Sequence, residues 1–276
     1  MKSILITGAS TGIGEACARY LAERGWQVFA GVRRTEDAEK LQSVSINIKA
    51  LQLDVTQIAE VFANVQQIVG KGGLQGLINN AGIAVVGPLE FLPIADLRNQ
   101  MEVNFIGQVE VTQTLLPLLR LGHGRVVNIS SIGGRATSPF NVPYSASKHA
   151  LEAFTDGLRR ELLPWNIHVA SVEPGAIATP IWERSLRRAD SMRAGLPRQA
   201  EDLYGIAMER ARKQALDAGA QGLSAEAVAR VVHHALTARR PRTRYAVGRG
   251  TRLVIWLIRF LPDEWVDWVI GRALYR

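Results

Sequence analysis

Ser3-Ile4-Leu5-Ile6-Thr7-Gly8-Ala9-Ser10-Thr11-Gly12-Ile13-Gly14 sets a strand, a loop and a helix start in one unbroken stretch. Ile4 to Thr7 is apolar, β-branched and followed by glycine, which predicts a short buried strand. From Gly14 the spacing of Ala16, Ala18, Tyr20, Leu21 and Ala22 predicts a helix, stopped at Gly25. Glycine in the loop permits the positive φ of a tight turn and lets the backbone come close to a ligand. The helix start adds unpaired N–H groups and a partial positive charge, which suit a pyrophosphate. The spacing is G-x-x-x-G-x-G, not the more general G-x-G-x-x-G.

Working outward, Gln27–Val32 and Ile48–Leu53 predict two further strands, and Gln57–Val69 has helical spacing. Leu77-Ile78 leads a fourth strand into Asn79-Asn80-Ala81-Gly82, followed by a long helix from about Ile94 to Arg120. Arg125–Ile129 predicts a fifth strand, Val142–Leu163 a helix and Ile167–Val172 a sixth strand. A helix over Ala225–Thr237 and a strand over Thr243–Val247 follow. Strands alternating with long helices imply parallel βαβ units with right-handed crossovers. The expected fold is α/β, a doubly wound parallel sheet. No linker or repeat marks a boundary, so residues 1–276 read as one domain. Within it, 1–180 form the core and 181–223 a polar, Arg-rich helical insertion. An insertion beyond the carboxyl end of the sixth strand is placed as a substrate lid. Residues 252–276 form a C-terminal helical extension, broken at Pro262 with Asp263 expected to cap its second helix.

Four motifs follow the glycine loop in order: Asn79-Asn80-Ala81-Gly82, then Asn104, then Ser131 with Tyr144-Ser145-Ala146-Ser147-Lys148, then Pro174-Gly175. Over residues 3–180 the chain resembles the short-chain dehydrogenase/reductase family. The resemblance implies a Rossmann-type fold and NAD(P)-dependent oxidoreduction at a CH–OH group. It also implies a homo-oligomer formed through the helices that begin near Ile94 and Val142.

Tyr144 and Lys148 stand at i and i+4 on a predicted helix, so they share a face. A tyrosine of pKa ~10 is a poor base near neutrality. A fixed ammonium and a cationic nicotinamide both favour the phenolate and bring it towards a useful range. Tyr144 can then give a proton to a carbonyl oxygen or take one from an alcohol. The resemblance adds that Lys148 hydrogen-bonds the nicotinamide ribose. It selects Ser131, 13 residues before Tyr144, as the group that holds and polarises the substrate oxygen. It also gives Asn104 the ordering of a water that touches the lysine.

For the cofactor, the resemblance points to Gly8, Ser10, Thr11, Gly12, Ile13 and Gly14 at the diphosphate and to Asp54 and Val55 at the adenine. Asn80 and Ala81 fall on the adenosine side and Thr179 at the nicotinamide amide. Gly82, Pro174, Gly175, Ile177, Tyr144 and Lys148 complete the set. The second strand runs Val28-Phe29-Ala30-Gly31-Val32 into Arg33-Arg34, with no carboxylate before Glu36-Asp37. An acid at this strand end suits the ribose 2′-hydroxyl of NAD, an arginine the 2′-phosphate. NADP(H) is therefore favoured over NAD(H). An NAD-linked dehydrogenase or a 3-oxoacyl reductase is the alternative within the family. A cofactor-sensing regulatory protein is the alternative outside catalysis.

Composition narrows the rest. The five histidines show no ligand spacing and Cys17 is the lone cysteine, so no metal site is expected. A phosphate loop of the G-x-x-x-x-G-K type is missing. With no signal-peptide layout and no long apolar run, a cytoplasmic protein is expected. The net charge of +8 is uneven. Residues 1–183 hold 15 Lys and Arg against 16 Asp and Glu, residues 184–276 hold 18 against 9. No nucleic-acid motif accompanies that basic third.

Candidates for the substrate wall are Ala84 to Val86, Ile132 to Gly134, Phe140 to Val142, Ile181, Trp182 and Met192, with Arg135 as the one charge aimed at the centre. A mostly apolar wall suits a steroid, a retinoid or a long-chain carbonyl compound. Trp256, Trp265 and Trp268 among arginines suggest a peripheral membrane anchor. Packing of the same helices over the pocket or a partner subunit, with the arginines solvated outside, is the plainer reading of these residues.

Overall fold

The computed structural model describes residues 1–57 and 72–275. The helix expected over Gln57–Val69 lies, past its first residue, outside them. Among the described residues seven parallel strands form one sheet in the order β3-β2-β1-β4-β5-β6-β9. They are β1 (Lys2–Ile6), β2 (Trp26–Val32), β3 (Ile48–Gln52), β4 (Gly76–Asn79), β5 (Arg125–Ile129), β6 (His168–Pro174) and β9 (Arg244–Val247). The order reverses between β1 and β4, and in such sheets the crevice beyond the strand ends at that point receives the ligand.

Alternation along β1 builds both faces of the core. Ile4 and Ile6 join the cluster beneath α1 (Gly12–Ala22), with Cys17, Leu21, Val28, Val228 and Val232. Leu5 points the other way, into a cluster with Phe29, Leu77, Leu115, Leu119 and Val126. A sheet buried on both faces needs near-continuous apolar strands, which is what β1, β2 and β5 supply. Burial pushes the Cys17 thiol up to about 12, so it packs as an inert apolar group.

Helix α2 (Thr35–Gln42) follows β2. The long helix expected from Ile94 to Arg120 is interrupted. It runs as α3 (Ile94–Met101), opens into one wide π turn over Glu102–Ile106, and continues as α4 (Gly107–Leu121). Asn104 sits inside that turn. Such single π turns cluster at functional sites.

Helix α5 (Val142–Glu161) carries the Tyr-x-x-x-Lys pair. The insertion folds as α6 (Ile181–Ala194) and α7 (Arg198–Gln221), bracketed by a two-strand ladder of β7 (Ile177–Ala178) and β8 (Leu223–Ser224). Helix α8 (Ala225–Thr237) packs against α1. The chain then forms α9 (Thr251–Phe260) and α10 (Asp263–Tyr275). Asp263 is the first residue of α10 and not its cap, because the Pro262 carbonyl already accepts from Trp265 and Val266.

Candidate active site

The glycine loop leaves β1 at the reversal of strand order and folds back under the loop that follows β4. Thr7 Oγ1 accepts from the backbone N–H groups of Asn80 and Ala81, each at 2.9 Å. Asn80 Nδ2 donates to the Thr7 and Gly8 carbonyls at 3.0 and 2.9 Å. This leaves no room for side chains. A Cβ on Gly8, which sits at φ +63°, would fall 2.7 Å from Ala81 Cα, and one on Gly14 would fall 2.5 Å from Asn80 Nδ2. The Gly12 backbone also has φ +63°. A backbone stripped of Cβ atoms in front of a helix start that Thr11 leaves uncapped fits a dinucleotide diphosphate.

Strand β5 ends at Ile129 and delivers Ser131, whose Oγ accepts from Gly133 N–H at 3.0 Å. Helix α5 brings Tyr144 and Lys148 to the same place. Burial pushes the Tyr144 phenol above its ordinary value, and its hydrogen bond with Ser131 opposes the shift. The Lys148 ammonium donates to the Ile129 carbonyl at 2.8 Å, and burial pulls it down to about 8, with Glu152 opposing. Within the protein alone, then, desolvation outweighs the help that sequence spacing expects Lys148 to give Tyr144. The neutral phenol is the resting form, which is the proton donor that reduction of a carbonyl requires.

Asn104 is fully buried and does not line the cavity. Its Nδ2 donates to the Ile83 carbonyl at 3.0 Å and to Ser147 Oγ at 3.1 Å, and its Oδ1 accepts from Ile83 N–H at 2.8 Å. Ser147 in turn donates to the Tyr144 carbonyl at 2.7 Å. Sequence reading passed over the residues on either side of Asn104. Gln100 exchanges hydrogen bonds with the Ile83 carbonyl and Val85 N–H at 2.8 and 2.7 Å, and Gln108 donates to the Ala81 carbonyl at 2.6 Å. Three amides four residues apart thus pin residues 81–85 to α3 and α4 and position the site. The signal was there: buried-helix spacing occupied by Gln and Asn where apolar residues are usual.

Around these groups opens a cavity of about 970 Å³. Most of the expected cofactor set lines it: Gly8, Ser10, Thr11, Gly12, Ile13, Arg33, Asp54, Val55, Asn80, Ala81, Gly82, Pro174, Gly175, Ile177 and Thr179. Tyr144, Lys148 and Ser131 line it too. Gly14 does not, because it packs beneath the loop. Arg34 turns away to pair with Asp37 at 3.0 Å. Of the expected substrate wall, Ala84, Val86, Ile132, Gly133, Asn141, Ile181 and Trp182 take part. Val85, Gly134, Phe140, Val142 and Met192 do not, and Met192 packs instead against Gly87. Arg135 is not aimed at the centre: it pairs with Glu173 at 3.1 Å behind the site. Val254, Leu257 and Ile258 of α9, Leu261 after it, and Val266 and Ile270 of α10 close the cavity, the packing over the pocket that sequence reading had offered for these helices.

The family model described as short chain dehydrogenase matches residues 2–190. The chain belongs to the short-chain dehydrogenase/reductase family. It is therefore an oxidoreductase that exchanges a hydride with a nicotinamide cofactor at hydroxyl or carbonyl groups. It is 38% identical to the NADPH-dependent 3-dehydrocapnine reductase of Ornithobacterium rhinotracheale, over 99% of this chain and 98% of that protein. It is 36% identical to the 17-beta-hydroxysteroid dehydrogenase type 6 of Bos taurus, over 99% of this chain and 88% of that one. The short chain dehydrogenase from Burkholderia cenocepacia J2315, solved in complex with NADP, superposes with a TM-score of 0.75 at 25% identity, covering all of both chains. As in any short-chain dehydrogenase/reductase, the nicotinamide supplies the hydride chemistry, and the chain supplies position and proton.

Proposed function

We propose that this short-chain dehydrogenase/reductase uses NADP(H) to interconvert an apolar alcohol and its ketone. The observation that carries the reading is the division of its cavity. One end holds Arg33, which has no carboxylate partner among the described residues, and the other is walled by Ile181, Trp182 and the two C-terminal helices. A guanidinium free of any acid suits a 2′-phosphate. The named relatives, one NADPH-dependent and one acting on a steroid, support both halves.

In reduction Tyr144 donates its phenolic proton to the forming alkoxide while Ser131 holds the same oxygen. Lys148, with one of its three donors spent on Ile129, keeps two for the cofactor ribose and its charge beside the phenol. Asn104 with Ser147 holds the backbone of Ile83 and Tyr144 in place. A panel of steroid, retinoid and long-chain ketones assayed with NADPH and NADH tests this. Turnover is expected on the apolar ketones with NADPH; turnover confined to polar sugars would overturn it.

The outer face of the roof points to a membrane. Trp256, Phe260 and Trp268 are each more than half exposed, while the opposite faces of the same helices line the cavity. Arg259 lies over the Phe260 ring and Arg272 over Trp268. Aromatics interleaved with arginines suit an anionic lipid surface. No helix among the described residues is long and apolar enough to cross a bilayer, and the contact we propose is peripheral. The native chain should float with anionic liposomes and not with neutral ones, and Trp256→Ser with Trp268→Ser should abolish flotation. Equal flotation of the variant would reject the surface. Self-association through α3, α4 and α5 is proposed on the family resemblance.

A further inference from the structure

Helix α6 of the lid carries Arg184, Arg187, Arg188 and Arg193. Three of them are neutralised: Arg187 by Glu183, Arg188 by Asp96, and Arg193 by Glu201 and Glu209. Arg184 has no carboxylate partner among the described residues. Its Nη2 instead reaches across the glycine loop and donates to Thr11 Oγ1 at 3.0 Å. Thr11 holds the N-cap position of α1, yet its side chain caps none of that helix's N–H groups. The positive end of α1 and an uncompensated guanidinium therefore face each other across one wall of the cavity, which both Thr11 and Arg184 line. Arg184 is solvent-exposed, and an anion held between it and the helix start satisfies both.

The geometry points to Arg184 as a lid-borne ligand of the cofactor diphosphate, so that cofactor binding fastens α6 over the substrate cavity. This rests on the dinucleotide reading of the glycine loop. The two cations would then divide the work. Arg33 reads the 2′-phosphate that distinguishes NADP from NAD, and Arg184 reads the diphosphate that both share. The rest of the lid is tied without a ligand. Arg188 pairs with Asp96, and Tyr204 donates to Glu90 at 2.9 Å with its ring edge-on to Phe91 and Phe140. Those ties hold the flank near residues 87–96, whereas over the glycine loop Arg184 reaches Thr11 and the Thr179-Pro180 entry lies against Gly12. Since Ile181, Trp182 and Ser185 of the same helix wall the cavity, a fastened lid completes the substrate site only after the cofactor is in place.

The test is titration of NADPH, NADH, ADP-ribose and 2′-AMP into the native chain, Arg184→Met and Arg187→Met, read by tryptophan fluorescence. Arg184→Met should weaken the three diphosphate ligands alike, by about tenfold, the scale of a charge-assisted hydrogen bond. It should leave the NADPH-to-NADH ratio and the affinity for 2′-AMP, which has no diphosphate, unchanged. Arg187→Met should match the native chain throughout. NADPH should also protect the α6–α7 segment from proteolysis in the native chain and less so in Arg184→Met. Diphosphate affinities within twofold of native in Arg184→Met would overturn the inference, as would an equal loss for 2′-AMP. Equal affinity of the native chain for NADPH and NADH would instead remove the role given to Arg33 and leave that of Arg184 standing.

Discussion

Tyr144→Phe lowers turnover by at least about 10³-fold, within the range of a lost general acid, while NADPH affinity stays within about threefold. The substitution removes one oxygen from a ring whose packing is otherwise kept, so binding and chemistry separate. Ser131 remains to hold the carbonyl, and Lys148 remains anchored to the Ile129 carbonyl. Neither can supply the proton: the serine hydroxyl is too weak an acid, and the ammonium is held back at β5. Residual turnover above about a tenth of native would assign the acid elsewhere. The pH dependence follows from the same two groups. Tyr144 is raised, so its phenol stays protonated beyond the ordinary tyrosine range. Lys148 is pulled down to about 8, so its charge is present below that pH and lost above it. Reduction should therefore be flat through neutrality and fall above about pH 8. A plateau extending past pH 10 would show that the ammonium does not contribute.

Arg33→Asp reverses the cofactor preference. The native chain should bind NADPH at least about tenfold tighter than NADH, the worth of one charge-assisted contact to phosphate. An aspartate at the end of β2 repels the 2′-phosphate and accepts from the ribose 2′-hydroxyl of NADH. The neighbouring groups make Arg33 the decisive one. Arg34 is committed to Asp37, which also removes Asp37 from any contact with the ribose. Fluorescence titration of both cofactors decides the matter, and equal affinities in the native chain would refute the role of Arg33.

Much of this site is legible in the sequence because it depends on short-range spacing. Tyr144 and Lys148 share a face by helical geometry, and Gly8 and Gly14 announce a backbone with no room for a Cβ. Arg33 and Arg34 are not separable in that way. As adjacent residues with the same charge, they differ only in which one Asp37 captures. Arg135 failed as a candidate for a related reason: its partner Glu173 is remote in sequence and meets it only when β6 lies beside β5. The π turn at Glu102–Ile106 is likewise invisible to periodicity, because one widened turn inside an apolar run preserves the overall pattern.

The order of strands and helices, the glycine loop, the Ser131, Tyr144 and Lys148 set and the basic C-terminal third are properties of the sequence by itself. Each is set by local periodicity, conformational preference or composition. Tertiary structure alone decided where the excess charge goes and what the tail does. It committed most of the lid's arginines to acids and left Arg184 facing the glycine loop. It also laid one face of α9 and α10 on the cavity and turned Trp256 and Trp268 outward. An amphipathic helix specifies that it has two faces; which face meets the pocket depends on the surfaces that the rest of the chain brings to it.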